Sequence, residues 1–215
     1  MTIVMDRRPG FVGRLRSRQA GHPSGLLGRI VGRLMVKDTA GANDRALAKL
    51  DLTKPRTILD VGFGQGRTAA VLVRAGHRVL GVDSSTTMVS QATARNRAAC
   101  RDGRAVLHHG DGITVPFPDD SADAAITAHT VYFMPDPAAT IADIARVLRP
   151  GGTLVIACRT SDDDTPAWID PDIYRIRSAD EITAMLRAAG FDRVDHERGE
   201  AGTHFIHLFV ARLAD

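Results

Sequence analysis

From residue 56 onward the chain alternates between two hydrophobic rhythms. RTILDV (56–61), HRVLGVD (77–83), RAVLHHG (104–110), ADAAITA (122–128) and TLVIACR (153–159) are short, near-continuous apolar runs. Runs of this kind predict strands buried on both faces. Between them, GRTAAVLVRAG (66–76), STTMVSQATARNRAAC (85–100) and PDPAATIADIARVLR (135–149) repeat their apolar residues at helical spacing. Ser84 or Ser85 caps the second of these helices. DGITVPFPDDS and TSDDDTPAWIDP read as loops, and PGG (150–152) as a turn. SADEITAMLRAAG (178–190) predicts a further helix, with Ser178 and Glu181 at capping-box spacing and Gly190 as its stop. FDRVDHE and THFIHLFVARL predict two strands joined by a GEAG turn (199–202), an antiparallel hairpin at the end of the sheet. Strands alternating with helices predict an α/β fold, a parallel sheet covered on both faces.

The N-terminal fifth has a different texture. Residues 1 to about 22 are basic and interrupted by Gly and Pro, which predicts a mobile arm. SGLLGRIVGRLMV (24–36) predicts an amphipathic helix capped by Ser24, with Leu27, Ile30, Val31, Leu34 and Met35 on one face and Arg29 and Arg33 on another. Its two glycines weaken it as an isolated helix, which suits a lid. Its basic face equally suits contact with an anionic membrane surface, and an ordinary packed helix is the plainer reading. ANDRALAKLDL (42–52) predicts another helix, starting near Asn43 or Asp44 with Leu47 and Leu50 inward. The expected organisation is a basic arm and helical cap over residues 1–50, part of the same domain as residues 51–215.

Charge sharpens this division. Residues 1–50 hold ten Lys/Arg against three Asp, whereas the remainder holds eighteen against twenty-two Asp/Glu. The basicity is therefore a property of the N-terminal segment, not of a whole nucleic-acid-binding domain. No apolar run reaches 18 residues and no secretory h-region opens the chain. Cys100 and Cys158 are the only cysteines; they imply no disulfide framework and fit a reducing cytoplasm. No Cys/His cluster argues for zinc, and Asp162–Asp164 read as solvated acids, so no metal is expected.

The chemistry concentrates in ILDVGFGQGRTAAVL (58–72). A dinucleotide fingerprint would read G-x-G-x-x-G, with pyrophosphate on the helix N-terminus. Here Gly62, Gly64 and Gly66 alternate, and Asp60 stands two residues before the first of them. A carboxylate is unhelpful beside pyrophosphate but suits an ammonium group. Asp83 ends the next strand, 23 residues after Asp60, where a carboxylate that accepts ribose hydroxyls belongs. The ligand inferred is a nucleoside with a cationic amino-acid tail.

With these motifs in view, the chain resembles the class I S-adenosylmethionine (SAM)-dependent methyltransferases, in their small-molecule subgroup. LDVGFGQG is similar to the family's first motif, and Asp83 in GVDSSTTM to its strand-two acid. GDGITVPFPDDSADAA (110–125) resembles the adenine-reading segment, with Asp111 and the backbone at Gly112. AHTVYFMPDP (128–137) resembles the fourth-strand motif, and IARVLRPGGTLVIACR (144–159) the helix, turn and fifth strand. HPSGLLGRIVGRLM is similar to the lead-in of some bacterial members, so the resemblance covers roughly residues 22 to 211. It implies a Rossmann-like, doubly wound seven-stranded sheet, six strands parallel and the last antiparallel, with three helices on each face. The implied cofactor is SAM, leaving as S-adenosylhomocysteine (SAH). The implied cofactor-binding residues are Asp60, Gly62, Phe63, Gly64 and Gly66, then Asp83, Ser84 and Met88, then Asp111, Gly112 and His129. Ala122 departs from the family, replacing the aromatic usual before Asp123.

Methyl transfer from a sulfonium is an in-line displacement, for which holding the reactants in line supplies roughly 7–11 kcal/mol. A base is needed only for a protonated acceptor. His129, just past the fourth strand, is the candidate base, or else a loop histidine that orders its neighbours. Tyr132 orients the acceptor or belongs to the core. His108 or His109 could flank the adenine, and His204 and His207 read as structural. The expected acceptor is a small molecule, lipid-like or a secondary metabolite. Nucleic-acid methylation is disfavoured, because AHTVY lacks the Asn/Asp-Pro-Pro-aromatic run of base amino-methyltransferases and no RNA-binding module is evident. A non-catalytic SAM-binding regulator is a third reading, and a dehydrogenase the weakest. The motifs leave the acceptor atom and the oligomeric state open.

Overall fold

The computed structural model describes residues 9–21, 41–54, 56–201 and 204–215. Seven strands form one sheet: β1 (Thr57–Val61), β2 (Arg78–Asp83), β3 (Ala105–His109), β4 (Ala122–Ala128), β5 (Leu148–Cys158), β6 (Phe191–Ala201) and β7 (His204–Leu213). Their order is β3-β2-β1-β4-β5-β7-β6. β1 pairs in parallel with β2 and β4, β2 with β3, and β4 with β5; β7 runs antiparallel to both β5 and β6. The expected topology, with only the last strand reversed, is the one that forms. The chain winds outward from β1 in one direction through β2 and β3, then returns to its other side at β4. That reversal opens a crevice at the carboxyl ends of β1 and β4.

The helices are α1 (Phe11–Gly21), α2 (residues 41–48), α3 (Arg67–Arg74), α4 (Thr86–Arg95), α5 (Arg97–Arg101), α6 (Pro137–Val147) and α7 (Ala179–Ala188). β1 shows why the strands read as continuous apolar runs. Ile58 packs with Leu47, Leu72 and Val155 on the α2/α3/α5 face. Leu59 packs with Ile141, Ile144 and Leu186 on the α6/α7 face, which α1 joins through Ala20. Cutting Ile141 or Ile144 to Ala removes buried methyls from this layer, a change that costs about 2–5 kcal/mol. Ser178 and Glu181 form the expected capping box. Ser85, not Ser84, caps α4, accepting the Met88 amide.

Several expectations change. The helix over 85–100 divides at Asn96, whose Nδ2 donates to the carbonyls of Ala92 at 2.9 Å and Gly66 at 3.1 Å. The GEAG segment is not a turn. Gly199, Glu200 and Ala201 pair with Ile206, Phe205 and His204, so the connection shrinks to residues 202 and 203, outside the described residues. The ladder extends because β7 offers partners that far. PGG falls inside β5, which begins at Leu148 in register with Ala122. Finally, residues 11–21 of the expected arm form α1.

The helix expected over 24–36, with its lid and membrane-surface readings, lies outside the described residues. Residue 41 is already helical, so Asn43 and Asp44 lie within α2 rather than at its start. Asp44 instead accepts two bonds from Arg67, at 2.9 and 3.1 Å, tying α2 to α3. Leu47 and Leu50 are buried as expected. Among the described residues, no helix is long and apolar enough to cross a membrane.

Candidate active site

The turn between β1 and α3 holds Gly62, Gly64 and Gly66 at φ of 75°, 55° and 70°, a region side chains enter only with strain. At Gly62 a Cβ would lie 2.2 Å from Thr130 Oγ1, and at Gly66 2.7 Å from Asn96 Nδ2. At Gly64 a Cβ would meet nothing within 4 Å. The outer two glycines therefore serve close packing, and the middle one faces open space.

That space is a cavity at the switch point. Gly62, Phe63 and Gly64 line one wall, and Asp83, Ser84 and Met88 another. Gly112, beside Ser84, and His129 also line the cavity. Asp83 is held from two directions: Gly64 N–H donates to Oδ2 at 2.8 Å and Ser85 N–H to Oδ1 at 2.9 Å. Gly112 is pinned by Thr140, whose hydroxyl donates to its carbonyl at 3.1 Å.

Asp60 lies behind the turn, only 4% exposed. Its strand is buried on both faces, so its carboxyl is desolvated. Burial first, and the Asp83 carboxylate second, push its pKa up to about 7. Its Oδ2 accepts a hydrogen bond from no described residue. Asp60 is not itself among the residues lining the cavity, although its neighbours Val61 and Gly62 are. A buried carboxylate oxygen without a donor is costly, and a cationic donor reaching behind the turn from the cavity would relieve it.

His129 sits just past β4 at φ 57°, a strained position for a non-glycine residue. Its N–H donates to the Ala157 carbonyl at 2.7 Å. Its Nδ1 stands 2.8 Å from the Tyr132 hydroxyl. Tyr132 is itself buried, outside the cavity lining, and burial, with Tyr174 second, keeps its phenol well above the usual tyrosine pKa. It is therefore a neutral hydroxyl that fixes the imidazole from behind.

Asp111 is not among the lining residues. Its Oδ1 accepts the amides of Ile113 and Thr114 at 2.8 and 2.6 Å, and its Oδ2 accepts the Thr114 hydroxyl at 3.0 Å. Those backbone bonds, led by that from Thr114, hold its pKa down. Its visible work is to fold the loop that presents Gly112. A ring nitrogen of His109 lies 3.1 Å from the Ser84 carbonyl, while His108 packs on Phe117. Asp162 accepts the Ala179 amide, and Asp163 bonds Arg198 and His207. His207 is buried, in keeping with its structural reading.

The cavity also has lining residues that the motifs do not single out. Gln65, within the glycine turn, is buried with Nε2 unpartnered among the described residues. Asn43 and Arg67 bring α2 and the start of α3 into the lining, as do Ala20, Gly21 and Phe133, with Gly21 against the Phe133 ring. Gln65 was legible from its place between two glycines; Ala20 and Gly21 carried no local signal.

Residues 59–156, which span the turn, Asp83, the Gly112 loop and His129, match the family profile described as "Methyltransferase domain". Those residues therefore carry a domain of the class I SAM-dependent methyltransferase type. It is 33% identical over 165 residues, 72% of its length, to the 27-O-demethylrifamycin SV methyltransferase of Amycolatopsis mediterranei, covering 60% of that protein. To the demethylmenaquinone methyltransferase of Clavibacter sepedonicus it is 29% identical over 181 residues, 71% of this chain and 72% of that protein. The chain spans only 52–60% of the length of the first four curated relatives that it matches. Among solved structures, a Burkholderia thailandensis 1,6-didemethyltoxoflavin-N1-methyltransferase, holding 1,6-didemethyltoxoflavin and SAH, is similar with 28% identity and a TM-score of 0.65. That likeness covers 86% of this chain and 83% of the other.

Proposed function

We propose that this protein is a methyltransferase that binds SAM in the cavity over the glycine turn and transfers its methyl group to a hydroxyl-bearing small molecule (EC 2.1.1.-). The observation that carries the reading is Asp60: a buried carboxylate with an unpartnered oxygen and a raised pKa fits the ammonium of an amino-acid tail and no phosphate. Asp83 fits the ribose, because its two oxygens are held rigid by backbone donors yet line the cavity. Phe63, Ser84 and Met88 would flank the nucleoside, with Gly112 at the adenine. The free space over Gly64 lets the ligand lie against the backbone.

Bound there, SAM supplies an electrophilic methyl on a good leaving group. The chain's own residues then position and deprotonate the acceptor. His129 takes the hydroxyl proton in the tautomer with Nδ1–H donating to Tyr132 and the lone pair on Nε2. Tyr132 acts by orientation and does not touch the acceptor. Residues 1–50 belong in this reading to the same domain as 51–215, supported by α1 and α2 packing on opposite faces of the sheet.

Transfer of a labelled methyl from SAM to a panel of phenols and quinols tests the reaction. Labelled product is expected from at least one. Binding of SAH without transfer to any of them would move the reading to the SAM-binding regulator.

A further inference from the structure

Helix α1 has little apolar anchorage of its own: Phe11 and Val12 are 84% and 77% exposed. A polar contact holds it. Ser17, fully buried, donates its hydroxyl to the Trp168 carbonyl at 3.0 Å and accepts the Asp170 amide at 3.1 Å. One side chain thus satisfies two backbone groups of the 160–177 loop that burial would otherwise leave without partners. Around this latch, the Arg16 guanidinium stands 4.1 Å from the Trp168 ring centroid. Gly13 approaches so closely that a Cβ there would lie 3.3 Å from the Trp168 carbonyl oxygen. At the other end of α1, a Cβ on Gly21 would come within 3.0 Å of the Phe133 ring, and Ala20 and Gly21 reach the cavity.

From the latch a line of rings leads to His129. Trp168 meets Tyr174 edge-on with centroids 5.9 Å apart, and Tyr174 meets Tyr132 at 5.1 Å. The Tyr132 hydroxyl then reaches His129 Nδ1 at 2.8 Å. The backbone runs in parallel: the Tyr174 amide donates to Asp170 and the Arg175 amide to the Tyr132 carbonyl. Tyr132 and Tyr174 are buried, and close-packed groups pass a displacement on rather than absorbing it.

We propose that α1 is the acceptor-side wall of the cavity, and that Ser17 is a positioning residue which, through Trp168, Tyr174 and Tyr132, holds His129 in its working orientation. The second half of this rests on the reading of His129 as the group facing the acceptor. The first half also names the acceptor's class. Ala20 and Gly21 beside Phe133 present small residues against an aromatic face, which suits a flat, uncharged ring carrying the hydroxyl.

Trp168 is the chain's only tryptophan, so its emission reads the latch directly. The full chain, labelled with 15N-histidine, is compared as wild type, Ser17→Ala and Tyr132→Phe. Ser17→Ala should red-shift Trp168 emission and move the His129 ring titration in the same direction as Tyr132→Phe. Calorimetric SAH affinity should stay within about threefold of wild type, since Ser17 shares no contact with the proposed cofactor residues. A red shift with an unmoved His129 titration would overturn the proposal, as would unchanged emission or a tenfold or larger loss of SAH affinity. If Ser17→Ala does not fold, Arg16→Gln takes its place: a smaller shift of both signals in the same directions supports the latch, and no shift of either overturns it. Wild-type chain that binds no SAH would fail the proposed function alone, since the emission and histidine signals are read without ligand.

Discussion

The amide of Gly64 donates to Oδ2 of Asp83 at 2.8 Å, so the turn after β1 and the acid ending β2 form one hydrogen-bonded unit. Nineteen residues separate them in sequence, and parallel pairing of β1 with β2 brings them together. Removing the carboxylate deletes the acceptor proposed for the ribose diol. Asp83→Ala should weaken SAH at least about tenfold, roughly 1.4 kcal/mol, in calorimetry. Unchanged affinity would refute the ribose assignment.

Asp60 predicts a pH dependence. Its folded pKa of about 7 lies well above the ordinary aspartate value of 3.8. The folded chain therefore holds this proton more tightly than the unfolded chain does. The contribution to stability is complete below about pH 4 and is lost as pH rises through about 7. A ligand ammonium needs the ionised carboxylate, so the opposite trend holds for binding: the thermal shift produced by SAH should be larger at about pH 8 than at about pH 5.5. Asp60→Asn should flatten both dependences and lower SAH affinity. A ligand shift independent of pH in the wild type would remove Asp60 from the ammonium site.

His129 and Tyr132 should separate in kinetics. His129→Ala is expected to lower kcat about a hundredfold while leaving SAH affinity nearly unchanged. Tyr132→Phe keeps the ring and loses the bond to Nδ1, so it should lower kcat less and displace the acid limb of the pH–rate profile. Unaltered turnover in His129→Ala would reject the base.

The α3–α4 contact predicts a stability change. Asn96→Ala removes the buried side-chain donor to the Gly66 carbonyl, which keeps the Ala70 amide, so the change should cost about 0.5–1.5 kcal/mol in urea unfolding. A loss under a few tenths of a kcal/mol would mean that another group takes up that carbonyl.

What the sequence revealed follows from the range of the forces involved. The strand–helix alternation was legible because β1, β2, β4 and β5 are buried on both faces, and each announces that locally. The glycine turn was legible because left-handed backbone admits few residues other than glycine. The break at Asn96 was not, since it depends on a carbonyl thirty residues away. Nor was the reach of β6, which its pairing with β7 decides. Asp111 was correctly seen as a loop acid, but Thr114, three residues on, engages both of its oxygens. Helix α1 escaped notice because it is held by Ser17 to a carbonyl 151 residues away rather than by an apolar stripe.

The central claim is that this cavity takes SAM. Its most direct test is thermal unfolding of the full chain at about pH 8 with saturating SAH, and with NAD in parallel. The account predicts a rise in Tm of several degrees with SAH and none with NAD. No shift with SAH, or an equal shift with NAD, would contradict it.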